Sequence, residues 1–260
     1  MPHDEHSSVK TRPPLRQSPG AGAWAGLLRW SFIRHKYLIP AFTAVQALFA
    51  VAIVVGFSLA LPEVDSTAAV YLSSGAWTLG IVAVGCVLAP QIVSSSKQDG
   101  LLEFHRTLPV PRIAILISDI VVWGFTAIPG IIAGIVTAML RFNVRPSLGL
   151  PTLGTLLLAL VMTTSLGICI AYWLPPNVSS LVTQVIIMGG LLFSPILFPS
   201  ERLPEWAVAL HQLLPIAPIG EVIRAAAFQT RENQTLNLLV VVCWTVGAFC
   251  LAYFALTRRK

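Results

Sequence analysis

Residues 152–174 read TLGTLLLALVMTTSLGICIAYWL, residues 175–177 Pro-Pro-Asn, and residues 178–198 VSSLVTQVIIMGGLLFSPILF. No Asp, Glu, Lys, Arg or His interrupts the chain from Pro146 to Ser200. A helix rises about 1.5 Å per residue, so crossing about 30 Å of hydrocarbon takes about 20 residues. The stretch holds two such lengths. Pro175 and Pro176, which lack backbone N–H donors, divide them at a reversal on the membrane surface. The apolar residues run continuously instead of alternating, so the segments read as helices and not as barrel strands.

The same charge-free character recurs at Tyr37–Pro62, Ser66–Ser96, Ile120–Leu140 and Asn233–Thr257. Together these stretches predict an all-α integral membrane protein with six transmembrane helices, at about 38–61, 70–93, 115–140, 152–174, 178–198 and 236–257. Composition agrees: of 260 residues, 55% are hydrophobic and 11% charged, against roughly 25% charged in soluble chains. A soluble enzyme, a DNA-binding domain and a secreted disulfide scaffold are excluded on this ground. The four cysteines, Cys86, Cys169, Cys243 and Cys250, fall inside apolar runs without paired spacing and read as small apolar groups.

An even number of spans puts both termini on one side. Lys10, Arg12, Arg16, Arg29, Arg34, Lys36, Lys97, Arg106, Arg112, Arg258, Arg259 and Lys260 lie on that face, and Arg141, Arg145, Arg202, Arg224 and Arg231 on the other. The positive-inside rule then places both termini in the cytoplasm of a plasma (inner) membrane protein. The net charge of +6 is a topology signal, because the cations sit at segment ends and form no stripe for nucleic acid. Residues 1–23, with Pro13, Pro14 and Pro19 among charged and small residues, predict a disordered cytoplasmic tail. The first apolar run begins too late and is too long for a signal peptide. Trp24 to Lys36 mixes Trp24, Leu27, Leu28, Trp30, Phe32 and Ile33 with Arg29, Arg34, His35 and Lys36, a pattern that suits an interfacial helix in the cytoplasmic headgroup layer.

No GxxxxGK[ST] phosphate loop, GxSxG or HExxH occurs, so the chain predicts no nucleotide site, no catalytic residue and no metal site of its own. Asp119 is an acidic residue near a span, about two turns from the cytoplasmic end of the third. One such group is a poor basis for the relay of a proton-coupled antiporter, and no internal repeat of the kind secondary transporters use is evident. A secondary, ion-coupled transporter stays open as an alternative class. Between Pro199 and Gln234, two apolar pieces, Leu203–Leu214 and Pro218–Phe228, are each too short to span and are separated by Pro215 and Pro218. They predict a broken re-entrant hairpin before the last span. Glu221 and Arg224, three residues apart, would meet on one helix face.

The cytoplasmic loop after the second span reads SSSKQDGLLEFHRTLPVPR over residues 94–112. Its serines can cap a short helix, Leu101, Leu102 and Phe104 give it an apolar edge, and Pro109 and Pro111 stop it. Asp99, Gly100, Glu103, Pro109, Val110 and Arg112 resemble the segment between the second and third spans in permease subunits of type-2 ATP-binding cassette exporters of drug-exporter type. Leu101 departs from the small hydroxyl residue common after the Gly, and Lys97 stands where many members carry an acid. The string Leu203-Pro204-Glu205-Trp206, followed by Leu214-Pro215-Ile216-Ala217-Pro218, is similar to the family's hairpin before the last span.

The resemblance implies a permease domain over residues 24–260, in a dimer with a second permease, identical or homologous. It implies a cytoplasmic coupling helix in which Asp99, Gly100, Leu101, Glu103, Phe104 and Arg106 meet a nucleotide-binding ATPase subunit, present in two copies. ATP and Mg would be held by that partner, with no cofactor in this chain. An extracellular gate would be built on Trp206, Pro215, Pro218, Glu221 and Arg224. A pathway lined by Thr78, Thr163, Thr164 and Gln184 would carry an amphiphilic drug-like or lipid-like substrate out of the cell. A polysaccharide-exporter permease of the same superfamily is the alternative and should carry aromatic residues along its channel.

Overall fold

The computed structural model describes residues 21–60, 64–100, 110–192, 194–199, 203–230 and 234–257. Among these residues every regular element is a helix. In chain order they are α1 (Ala21–Arg34), α2 (Leu38–Ala60), α3 (Ser66–Val82), a π-helical turn (Ala83–Leu88), α4 (Ala89–Gln98), α5 (Arg112–Phe142), α6 (Leu150–Trp173), α7 (Pro176–Leu192), α8 (Glu205–Leu213), α9 (Ile216–Phe228) and α10 (Thr235–Thr257). The coupling positions Leu101, Glu103, Phe104 and Arg106, like the tail before residue 21, lie outside the described residues.

Five helical runs are long and apolar enough to cross a membrane: α2, α3 through α4, α5, α6 and α10. A further apolar helix, α7, has 17 residues and rises about 26 Å. Its inner end is fixed by Ser94 Oγ donating to Ser179 Oγ at 3.3 Å. Ile187 packs with Val82 and Cys86, and a Cβ on Gly190 would meet Leu79. α7 therefore climbs antiparallel to the second span. It stops at Leu192, short of the predicted 198, because the chain turns inward over Ser194–Phe198 and buries Ile196 and Leu197.

Leu48 and Leu59 on α2, Ile132 and Leu140 on α5, Leu157 on α6 and Leu239 and Phe254 on α10 are large, apolar and exposed. Water would not tolerate such a girdle, and lipid does. The α3–α4 span lies at the centre, with Trp77 in a core built with Val54, Leu72, Ile131, Leu156, Met162, Ile196 and Ile223. Small residues let the backbones approach, as in other membrane bundles. The closest approach joins the second and fourth spans, where a Cβ on Gly167 would overlap the Gly85 carbonyl oxygen and lie 2.9 Å from Pro90 Cδ.

Pro90 also accounts for the π-helical turn. It has no N–H for the Cys86 carbonyl, and in regular helix its ring would strike that carbonyl. The chain widens instead, so that Ala89 N–H bonds Val84 O, five residues back. At the outer end of the same span, Asp65 caps α3 by accepting from Ala68 N–H at 2.7 Å.

Candidate functional site

At one end of the bundle, α4 ends at Gln98 and Asp99 N–H bonds Ser95 O at 3.1 Å. Gly100 follows with φ of 76°, the left-handed stop that glycine adopts without a Cβ penalty. Asp99 is exposed and Gly100 half-buried at the point where the chain leaves the bundle. The interfacial helix α1 braces this exit. Arg34 Nη2 donates to Ser96 Oγ at 2.7 Å, Ser118 Oγ to Ser31 Oγ at 3.1 Å, and Leu27 packs with Ala114 and Ile115. Burial pushes the Arg34 guanidinium below its ordinary value, while Asp119 and then Asp99 draw it back up. Burial likewise lowers His35, whose ring nitrogen lies 2.9 Å from Ser31 O. Asp119 thus lies within electrostatic reach of Arg34.

At the opposite end of the bundle, α8 and α9 meet at 81°. The two pieces begin at Glu205 and Ile216, since Pro204 and Pro215 serve as N-caps and Pro218 fits in the first turn, where a missing N–H costs nothing. Trp206 is exposed and Pro218 buried. Arg224 is 2% exposed. Its Nε donates to Ser74 Oγ at 3.1 Å, its Nη2 to Ile196 O at 2.9 Å, and its guanidinium carbon lies 3.6 Å from the Tyr71 ring centroid. One side chain therefore ties the hairpin to α3 and to the turn after α7. Glu221 accepts from Asn237 Nδ2 of α10 at 3.1 Å. It borders a cavity of about 210 Å³ lined by Pro195, His211, Pro218 and Leu236 among others.

The backbone around the brace is tightly packed. A Cβ on Gly75 would sit 2.9 Å from Ile196 O, and Trp77 stacks on Phe228 at 5.8 Å. The far end of α9 is held by Thr152 Oγ1 donating to Ala226 O at 3.0 Å and Ser147 N–H donating to Ala227 O at 2.7 Å. Thr78 and Thr163 are fully buried and bond carbonyls of their own helices, Ser74 O and Ala159 O. Thr164 is buried on the same turn as Thr163. Gln184 is exposed on α7. The structure thus separates Gln184 from the three threonines, which lie between packed helices.

The family model for the ABC-2 type transporter matches residues 24–228, from the interfacial helix through the hairpin. The chain belongs to the ABC-2 type transporter family. No curated protein matches it. As an ABC-2 membrane domain it is a multi-pass permease component of an ABC transporter, and the family's ATPase activity resides in a separate subunit. Sequence reading missed the partners of Arg224, because Ser74 lies 150 residues away, and a cation among apolar residues before the last span was the only local signal.

Proposed function

We propose that this ABC-2 permease is the membrane half of an exporter, paired with a second permease and driven by two ATPase subunits at the cytoplasmic loop. Asp99, Gly100, Leu101, Glu103, Phe104 and Arg106 would form the ATPase contact. The hairpin with Trp206, Pro215, Pro218, Glu221 and Arg224 would form the external gate. Both termini face the cytoplasm of the plasma membrane in this reading, supported by the basic asymmetry of the loops.

The observation that carries the substrate class is a face of α7. Leu181, Gln184, Val185 and Met188 are all exposed at helical spacing, so one face presents a single amide on apolar walls. Placed against a second permease, that face suits an amphiphile better than a free ion or a sugar chain, for which aromatic platforms would be expected. Thr78, Thr163 and Thr164 would join the pathway as the spans part.

The test uses inside-out vesicles holding the permease with its ATPase and a fluorescent cationic amphiphile as probe. ATP should drive uptake into the vesicles. Leu101→Asp with Phe104→Asp should abolish uptake while hydrolysis continues. Uptake driven by a proton gradient without ATP would overturn the proposal.

A further inference from the structure

The fourth span ends at Trp173, and Leu174 is followed by Pro175 and Pro176. A helix leaves its last four carbonyls unsatisfied, and the usual remedy is donation from the backbone N–H groups just beyond the end. Two prolines offer none. The demand is met from elsewhere: Lys97 Nζ, on the last turn of α4, lies 3.4, 3.2 and 3.4 Å from the carbonyl oxygens of Ala171, Tyr172 and Leu174. An ammonium carries three donors and a positive charge, which is what a helix C-terminus attracts.

A matching contact stands at the other end of the same loop. Arg112, the first residue of α5, donates from Nη1 to Leu256 O in the last turn of α10 at 3.0 Å. The two receiving ends are themselves joined, with Trp173 Nε1 donating to Leu251 O at 3.2 Å and stacking on Phe254 at 6.3 Å. Both stems of the cytoplasmic loop are therefore strapped to one pair of helix ends. Farther in, α6 closes at Gly167 on both α4 and the π-helical turn, an added Cβ there meeting Pro90 Cδ and the Gly85 carbonyl oxygen, while the π-helical turn separates α4 from α3, which the Arg224 brace holds to the hairpin.

We propose that Lys97 and Arg112 are positioning residues of the transport cycle. They carry a displacement of the cytoplasmic loop into the inner halves of α6 and α10 as one body, with the π-helical turn as the joint in the second span. The proposal rests on the reading of residues 99–106 as the ATPase contact. It makes Lys97 a requirement of the double proline in this chain.

The experiment uses the permease assembled with its ATPase in lipid nanodiscs and vesicles, on a background lacking the native cysteines. Spin labels at Gln98 and Asn177, both exposed, report the strap. Their separation should stay narrow and unchanged on adding ATP, and Lys97→Met should broaden it and make it depend on nucleotide. Lys97→Met should also lower substrate moved per ATP about tenfold, with the ATPase still bound, and Lys97→Arg should restore both readouts. A Gln98–Asn177 distance that changes with nucleotide in the unaltered protein, or a Lys97→Met protein with full transport per ATP, would overturn the proposal. Failure of positions 97–108 to cross-link to the ATPase would instead remove the loop reading, and the transmission role with it.

Discussion

Replacing Arg224 with alanine is expected to stop ATP-driven export and to destabilise the folded permease by roughly 3–5 kcal/mol. A desolvated cation–π contact contributes about 2 kcal/mol, and a stranded buried hydrogen-bonding group costs about 1–3 kcal/mol. The substitution removes the Tyr71 contact and leaves Ser74 Oγ and Ile196 O without the guanidinium that bonds them. It also frees three elements from one another: the hairpin, α3 and the turn at 194–199. Arg224→Lys should rescue poorly, because a single ammonium cannot stack on Tyr71 and fork to two acceptors at once. Arg145, exposed in the loop between α5 and α6, supplies the control, and its alanine variant should stay within about 0.5 kcal/mol. Thermal unfolding in detergent together with vesicle transport measures both effects. Equal behaviour of the two variants would rule the brace out.

Gly167→Val should leave no folded permease. The new side chain would meet the Gly85 carbonyl oxygen, which is backbone and cannot rotate away, and Pro90 Cδ at 2.9 Å. The second and fourth spans could accept it only by separating, which would open the contacts of Cys86 and Thr163 along the same seam. Overpacking usually costs about 1–3 kcal/mol, and a collision with main chain lies at or above the top of that range. Gly247→Val, where nothing lies within 4 Å of the added Cβ, should express normally. The yield of monodisperse protein after extraction reads the difference. A normal yield for the Gly167 variant would mean that the two spans are not in backbone contact.

The apolar helices were legible because lipid imposes a simple rule, charge-free runs of sufficient length, and helical runs of spanning length cover five of the expected stretches. The break was legible for the complementary reason: pieces of 9 and 13 residues are each too short to cross alone, and they meet at 81°. Where helices stop was harder to read. Residues 178–198 are uniformly apolar, yet α7 ends at Leu192, because the outer end of the second span offers Gly75 as a seat for Ile196 and Leu197. That outcome depends on a partner more than a hundred residues away.

The π-helical turn had a local sign in Pro90, but a proline inside a membrane helix can equally be absorbed by a kink. Arg224 and Lys97 illustrate the same limit at the candidate sites. Helical spacing sets Glu221 and Arg224 on one face, but it gives no sign that Arg224 bonds Ser74 and Ile196 or that Glu221 accepts from Asn237. Lys97 looked like a variation within a loop motif, and its role emerges only when the carbonyls left bare by Pro175 and Pro176 are placed beside it.

The central claim is that a separate ATPase drives this permease through the loop between its second and third spans. The most direct measurement is a photo-cross-linking scan with a reactive residue placed in turn at positions 97–108 in membranes containing both subunits. The account predicts capture of the ATPase from a periodic subset of these positions, with a pattern that changes when ATP is added. It also predicts no capture from control positions at 145 or 229 on the outer side. Capture from no position in 97–108, with the ATPase nevertheless bound to the permease, would contradict it.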